Sequence, residues 1–491
     1  MNRREFSKKT VAGFLGLAVS PAIQDGSQAS LAQKLNNERI IDIGSRLEMF
    51  IDDLLVEKLD NVEFRLHHPV RLPLPKSPLV GGYATVIKDG YLYRAYYRDD
   101  KLGYEGRTNA KNEKEITCYA ESLDGHEWTY PKLDVVNVIS PRGRNVILDK
   151  AGFCHNFTPF IDTRPGVDDT QRFKAIGGRK STGLHAFSSK DGIRWSKMHE
   201  KPVITSERFG FDSQNVCFWS ETEQLYHCYF RVWTWNELNQ HPKASKMSPR
   251  GLRTISRSSS KDFITWSEPI AMNPNQPGEH LYTNNTQPYF RAPHIFIALP
   301  TRYVAGRVGM EKSYPMRGST DIMLMTQRAG SDSYDRLFKE AFIRPGLDPE
   351  QWENRANYLA LNVVPTGDTE ISFYHNHSGH RYILRTDGFV SVHTGAEQGE
   401  LLTKPLIFNG KNLIANYSTS AAGSLRVEIQ ESDGRPLPGF NLQDCVTVVG
   451  DKINGRITWL SNPDLRALEG KPVRLKFVMT ECDVYSFRFL T

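Results

Sequence analysis

The chain has 491 residues, 39% hydrophobic and 24% charged, with a net charge of +6, which is a globular composition with room for two or three domains. So small a charge over so long a chain excludes a nucleic-acid footprint, and no apolar run reaches the ~18 residues of a membrane span. The sequence has no CxxC pair, GxSxG, Walker loop or dinucleotide fingerprint, so neither a cofactor nor a metal is expected.

The N-terminus reads as a targeting segment. "MNRREFSKKTVAGFLGLAVSPA" joins a basic start to an apolar stretch from Thr10 to Val19, followed by small residues. Arg3, Arg4, Phe6 and Lys8 resemble a twin-arginine export signal, so residues 1–33 are expected to be removed and the protein to lie in the periplasm or outside the cell. Residues 34–76 form a lead-in with short strand patterns.

From Ser77 a repeat takes over. "AESLDGHEW", "FSSKDGIRW" and "SSSKDFITW" each carry Ser, Asp and, four residues after the Asp, Trp. With a fainter copy at Asp332, the Asp spacings are 67, 71 and 70 residues, and "TDGF" adds a turn at Asp387. Asp-Gly makes a tight turn because Asp bonds its own backbone and Gly accepts positive φ. These residues are therefore read as structural. Before each turn come apolar and aromatic strands such as "YATVI", "YLYRAYY" and "ITCYAES", the second of which alternates with period two. Four strands in each ~70-residue unit, five times over, predict an all-β, five-bladed β-propeller across residues 77–400. A strand-rich sandwich is the rival, but its strands would not share one turn signature.

After Leu401 the pattern changes. Leu425, Val427 and Ile429 alternate, as do Val473, Leu475, Phe477 and Met479. A C-terminal β-sandwich is expected over residues 401–491. Of the six cysteines, Cys118, Cys217 and Cys228 read as buried thiols, and Cys445 with Cys482 could pair in an oxidising compartment.

"YRAYYRDD" and "ESLDGHEW" look like the five-bladed glycoside hydrolases of families 32, 43 and 68. Through "FIDDLLVE", "HNFTPFIDTRP", "FDSQNVCFW" and "HLYTNNTQPYFRAPHIFIALP", residues 45–491 resemble a group of exported bacterial proteins of that architecture. The Asp-Pro-Asn and Arg-Asp-Pro motifs of family 32 are absent. The resemblance implies a carbohydrate partner and acids at the start of the innermost strands.

In such a fold the pocket lies where innermost strands begin and second strands end. Innermost-strand starts offer Asn156, Gln214, Asn215, Asn285 and Tyr358, which are sugar-binding types. Second-strand ends offer Arg98, Arg231 and Arg302, whose forks match the carboxylate, sulfate or phosphate oxygens of an anionic glycan; interblade salt bridges are the alternative. Asp212, Glu279 and Asp321 are the candidate acids for paired-carboxylate glycoside hydrolysis, with Asp212 as base or nucleophile and Glu121 in reserve. Arg291 and His294 read as structural, and His375 with His377 as hydrogen-bonding rather than metal-binding. The alternatives are a non-catalytic carbohydrate-binding or scaffold protein, a lyase, and a phosphorylase.

Overall fold

Side-chain turns set the ends of the strands. The Ser122 hydroxyl accepts the Gly125 N–H at 2.9 Å, and Asp124 Oδ1 accepts those of His126 and Glu127 at 2.7 and 2.9 Å. The same bonds recur at Ser189 with Asp191 and at Ser260 with Asp262. The residue after each Asp has positive φ: 70° at Gly125, 76° at Gly192 and 68° at Phe263. Glycine takes this conformation freely and phenylalanine does not. Phe263 is fully buried against Phe160, Tyr226 and Trp266, and that packing offsets the strain. The repeated Trp also has a role: the indoles of Trp195 and Trp266 donate back to the carbonyls of Gly192 and Phe263 at 3.1 and 3.2 Å.

The computed structural model describes residues 40–104, 113–205, 211–234, 251–305, 307, 318–461 and 464–491, and the expected export signal over 1–33 lies outside them. Residues Ile41–Thr491 form one compact unit. It is all-β: among the described residues the only helix is the turn Ala151–Cys154 and three short 3-10 segments.

Three antiparallel sheets follow one another, each with four strands in chain order. Their first strands are Gly82–Asp89, Thr158–Ile161 and Val216–Ser220; their second strands are Leu92–Asp100, Phe173–Arg179 and Leu225–Trp233. The fourth repeat is broken into two three-stranded pieces, one begun by Glu279–Leu281 and the other by Gln287–Tyr289. The break falls at Pro300, between Ala292–Ala298 and Thr301–Val304, where a residue without an N–H cannot continue the ladder. The fifth sheet contains Val364–Pro365, Glu370–Tyr374 and Arg381–Arg385.

First strands pack side by side from Gly82–Asp89 through Thr158–Ile161 and Val216–Ser220 to Gln287–Tyr289, Gln287 accepts the Val363 N–H at 2.7 Å, and Val364–Pro365 returns to Gly82–Asp89. Backbone bonds from Val86 to Leu361 (3.0 Å) and from Leu361 to Ala84 (2.8 Å) close this cycle. Apolar residues fill the spaces between sheets, such as Trp219, Tyr226 and Phe230 with Phe160 of the preceding sheet. Each fully buried aromatic of this kind contributes about 2–3 kcal/mol.

The N-terminal lead-in is not a separate segment. Val70–Arg71 is the outermost strand of the fifth sheet. Ile41–Gly44, Glu48–Met49, Val56–Asp60 and Glu63–Leu66 join a ten-stranded sheet with Val390–Thr394 and the strands beyond Gly399. Expected boundaries at 77 and 401 therefore cut through hydrogen-bonded sheets. The reason is that short strands must find partners for their backbone groups, and here the partners are more than 300 residues away. The long strands Asn412–Glu431 and Val473–Leu490 form the spine of the ten-stranded sheet, with Leu425, Val427, Ile429, Leu475 and Phe477 on its buried face.

Charged residues bind this sheet to the fourth repeat. Arg328 meets Glu48 at 2.6 Å and Asp52 at 2.7 Å, and His294 meets Glu48 at 3.2 Å. Asp387 is fully buried and takes Tyr289 and Ser486 hydroxyls at 2.8 Å and Arg291 at 3.0 Å. All six cysteines are buried free thiols, so the pairing considered for Cys445 and Cys482 does not form.

Candidate active site

A cavity of about 780 Å³ opens where first strands begin and second strands end. Arg98, Arg179 and Arg231, from three successive second strands, line it together. Arg253, which opens the strand Arg253–Ser260, and Arg355 join them, so five arginines and three acids, Asp212, Glu350 and Glu353, line one cavity. Gly82 makes room for one of them: a Cβ there would lie 3.2 Å from the Arg98 guanidinium.

Aromatic rings order these cations. The Arg98 guanidinium lies 4.8 Å over Tyr83, and that of Arg253 lies 4.3 Å from Trp233 and 4.7 Å from Tyr282. Tyr83 and Tyr358 are parallel at 6.0 Å, and His377 lies 5.7 Å beyond Tyr358. The floor thus offers flat apolar faces edged by fixed positive charge.

Asp212 pairs with Arg231 on this floor. Burial pushes the Asp212 carboxyl up, but the charge and hydrogen bond of Arg231 outweigh it and hold the group below the usual carboxylate range. His155 also lines the cavity, with Nδ1 against both oxygens of Glu115 at 2.9 and 3.0 Å.

Four residues expected from sequence line this cavity: Asp212, Arg98, Arg231 and Tyr358. The other two acids and the third arginine do not. Glu279 is buried, gripped by Arg336 and by the Gln276 N–H at 2.6 Å. Asp321 is held by two nitrogens of Arg302 at 2.8 and 2.6 Å, because the two residues are direct partners on adjacent strands. Opposite charges in that register pair with each other and leave the pocket.

The expected amide ligands are fasteners between sheets. Asn156 donates to the carbonyls of Phe211 and Ser213 and accepts the Gly178 N–H. Gln214 donates to Tyr83, Ala84 and Thr85, and Asn285 to Leu359 at 3.0 Å. Asn215 is fully buried and donates to Phe211. Amides at the centre of converging strands satisfy backbone groups that no ladder reaches. His375 is buried and accepts from Ser378, and burial with the nearby His377 pushes it down to about 3. Among the described residues no three His, Cys, Asp or Glu are placed to hold a metal, and no helix is long and apolar enough to cross a membrane.

Sequence reasoning missed Arg179, Arg253, Arg355, His155, Tyr83 and Tyr282. Only Arg179 carried a usable signal. It ends "RFKAIGGR", the repeat-equivalent place of Arg98 and Arg231.

No family model matches the sequence, and no curated protein matches it. The chain is similar in structure to glycoside hydrolases. One is a glycoside hydrolase family 43 arabinoxylan arabinofuranohydrolase from Bacillus subtilis in complex with cellotetraose, at 11% identity and TM-score 0.38, covering 84% of this chain and 96% of that one. Another is a GH32 beta-fructofuranosidase of Bombyx mori, at 10% identity and TM-score 0.37, covering 95% and 99%. A third is an N-acetylgalactosamine deacetylase from F. plautii in complex with blood group B trisaccharide, at 12% identity and TM-score 0.38, covering 87% and 95%.

Proposed function

We propose that the protein is an exported five-bladed β-propeller with a C-terminal β-sandwich, and that it hydrolyses an anionic glycan in the arginine-lined cavity. The circular packing of first strands supports the propeller reading. The observation that carries the functional reading is the union, in one cavity of about 780 Å³, of five arginines, tyrosine faces and the Arg231-paired Asp212. That volume suits a small ligand site. Sugar rings present apolar faces that stack on Tyr83 and Tyr358. Sulfate or uronate oxygens accept two-point contacts from guanidinium forks. Asp212, kept ionised by Arg231, then serves as base or nucleophile at the anomeric carbon.

The test compares sulfated and uronic oligosaccharides with their desulfated or carboxyl-reduced counterparts, using wild type and Asp212→Asn. Turnover is expected only on the anionic members, with a loss of about a thousandfold or more in the variant. Equal binding of the neutral counterparts removes the anionic selectivity. Tight binding without turnover by wild type leaves a glycan-binding protein. The withdrawal of Glu279 and Asp321 into ion pairs favours this second reading.

A further inference from the structure

The arginines of the cavity are not equally available to a ligand. Arg231 is paired with Asp212, and Arg98 faces Glu115 at 3.5 Å and donates to the His155 carbonyl at 3.3 Å. Arg253 differs: among the described residues no carboxylate lies within ion-pairing distance of it, and its buried Nε meets no acceptor. We propose that Arg253 selects the charge of the substrate, seating one carboxylate or sulfate group of the glycan beside the Asp212–Arg231 pair. This deepens the reading of the cavity as an anionic-glycan site and rests on it.

Neutral groups hold this cation in place. Arg253 stands directly opposite Trp233 on the neighbouring strand, and its guanidinium lies 4.3 Å from the Trp233 ring and 4.7 Å from that of Tyr282. Its backbone N–H and Nη1 both meet Nδ1 of His280, at 3.1 and 3.3 Å. Arginine and the backbone N–H only donate, so Nδ1 accepts from both and the imidazole is neutral. Burial pushes His280 down to about 4, helped by the charges of Arg253 and Arg231, so it stays neutral at ordinary pH. Two rings and a neutral nitrogen thus orient the guanidinium without cancelling its charge. Burial also pushes Arg253 below the ordinary arginine range, and the charge of Arg231 adds to this; at Arg231 itself burial is outweighed by Asp212 and the shift is upward. An anion bound at Arg253 offsets a desolvation cost that the fold leaves standing.

Tyr282 joins this cation to the rest of the floor. Arg231 Nη1 reaches its carbonyl at 3.5 Å, and its hydroxyl donates to Asn354 Oδ1 at 3.0 Å. Arg253 also feels the charges of both Arg231 and Asp212. The residue after Asn354, Arg355, lines the cavity with a φ of 70°, a conformation that side chains adopt at a cost, and such strain collects at ligand sites. Glu350 and Glu353 line the cavity from the same segment and offset the charge of Arg355, so the pull on an anion is concentrated at Arg253.

The experiment measures binding by calorimetry, so it does not depend on turnover. The probes are tetrasaccharides of polygalacturonate, carrageenan and chondroitin sulfate, each paired with its carboxyl-reduced or desulfated counterpart, and inorganic phosphate alone. Wild type is expected to prefer the charged member of at least one pair by about tenfold or more. Arg253→Ala should bring that preference to within about twofold while its affinity for the neutral member stays within about threefold of wild type. Arg253→Lys, which keeps the charge but not the planar fork, should retain part of the preference, and thermal midpoints of both variants separate these effects from misfolding. A preference that survives in Arg253→Ala, or that is lost in Arg98→Ala instead, overturns the assignment to Arg253 while the anionic-glycan reading stands. Phosphate binding that depends on Arg253, with charged and neutral glycans bound alike, makes the anion a free ion and overturns the proposal. Absence of binding to every glycan by wild type overturns the glycan reading and the role of Arg253 with it.

Discussion

Arg231 and Asp212 form an ion pair that is buried on one side only: the arginine side chain is 9% exposed and the carboxylate 54%. The cation is held by the fold, while the anion faces the cavity. Such a pair contributes little to stability through its exposed partner. Its effect is on the protonation state of Asp212 and on where that carboxylate points.

Removing the cation should therefore show first in pH dependence. In Arg231→Ala, burial still pushes the Asp212 carboxyl up, and the opposing charge is gone. A catalytic carboxylate works only above its pKa, so the acid limb of the pH–activity profile should move to higher pH. The profile of Arg231→Lys should stay nearer that of wild type. An unmoved acid limb in the alanine variant would separate Asp212 from the rate.

Arg253 and Arg302 should behave oppositely, although both are strand arginines. Arg253 lines the cavity between Trp233 and Tyr282. Its change to Ala should weaken binding of a sulfated oligosaccharide about tenfold or more, as calorimetry would read it. Arg302 is committed to Asp321. Its change to Ala should lower unfolding free energy by about 1–3 kcal/mol and leave that affinity unchanged.

Phe263 tests whether packing outweighs backbone strain. Gly at this position would relieve the 68° φ, a gain of about 1–2 kcal/mol. It would also empty a fully buried site beside Phe160, Tyr226 and Trp266, at a cost of about 3–5 kcal/mol. Phe263→Gly should be less stable than wild type in urea unfolding, even though glycine stands at the equivalent turn position in two other repeats.

Glu48 should govern part of the acid stability. Burial pushes its carboxyl up, but His294 and Arg328 together bring it down from 4.5 to about 2. A depressed folded-state value gives stability that is complete above the unfolded value and lost as pH falls towards the folded one. The window is thus about pH 4.5 to 2, and the contribution is about 3 kcal/mol. Glu48→Gln should be less stable at neutral pH, and its stability should fall less steeply across that window.

The sequence by itself determined the repeat. Ser, Asp and Trp at constant offsets specify a turn through bonds within one seven-residue stretch, so they can be read without knowing the rest of the chain. The alternation of Leu425, Val427 and Ile429 likewise marks one buried face, because side chains alternate along any strand. Asp212, Arg98 and Arg231 could be placed from their positions in that repeat. What only the tertiary structure decided was the company each charged or polar group keeps. Arg302 and Asp321 are 19 residues apart in sequence but direct partners across two strands, and Arg336 reaches Glu279 over 57 residues. Val70–Arg71 completes a sheet whose other strands begin at Val364. The amides that looked like sugar ligands face carbonyls of neighbouring sheets. A local pattern records what a segment prefers for itself. Whether a carboxylate meets a cation, a backbone N–H or open cavity depends on strands brought together from elsewhere, and no spacing along the chain encodes it.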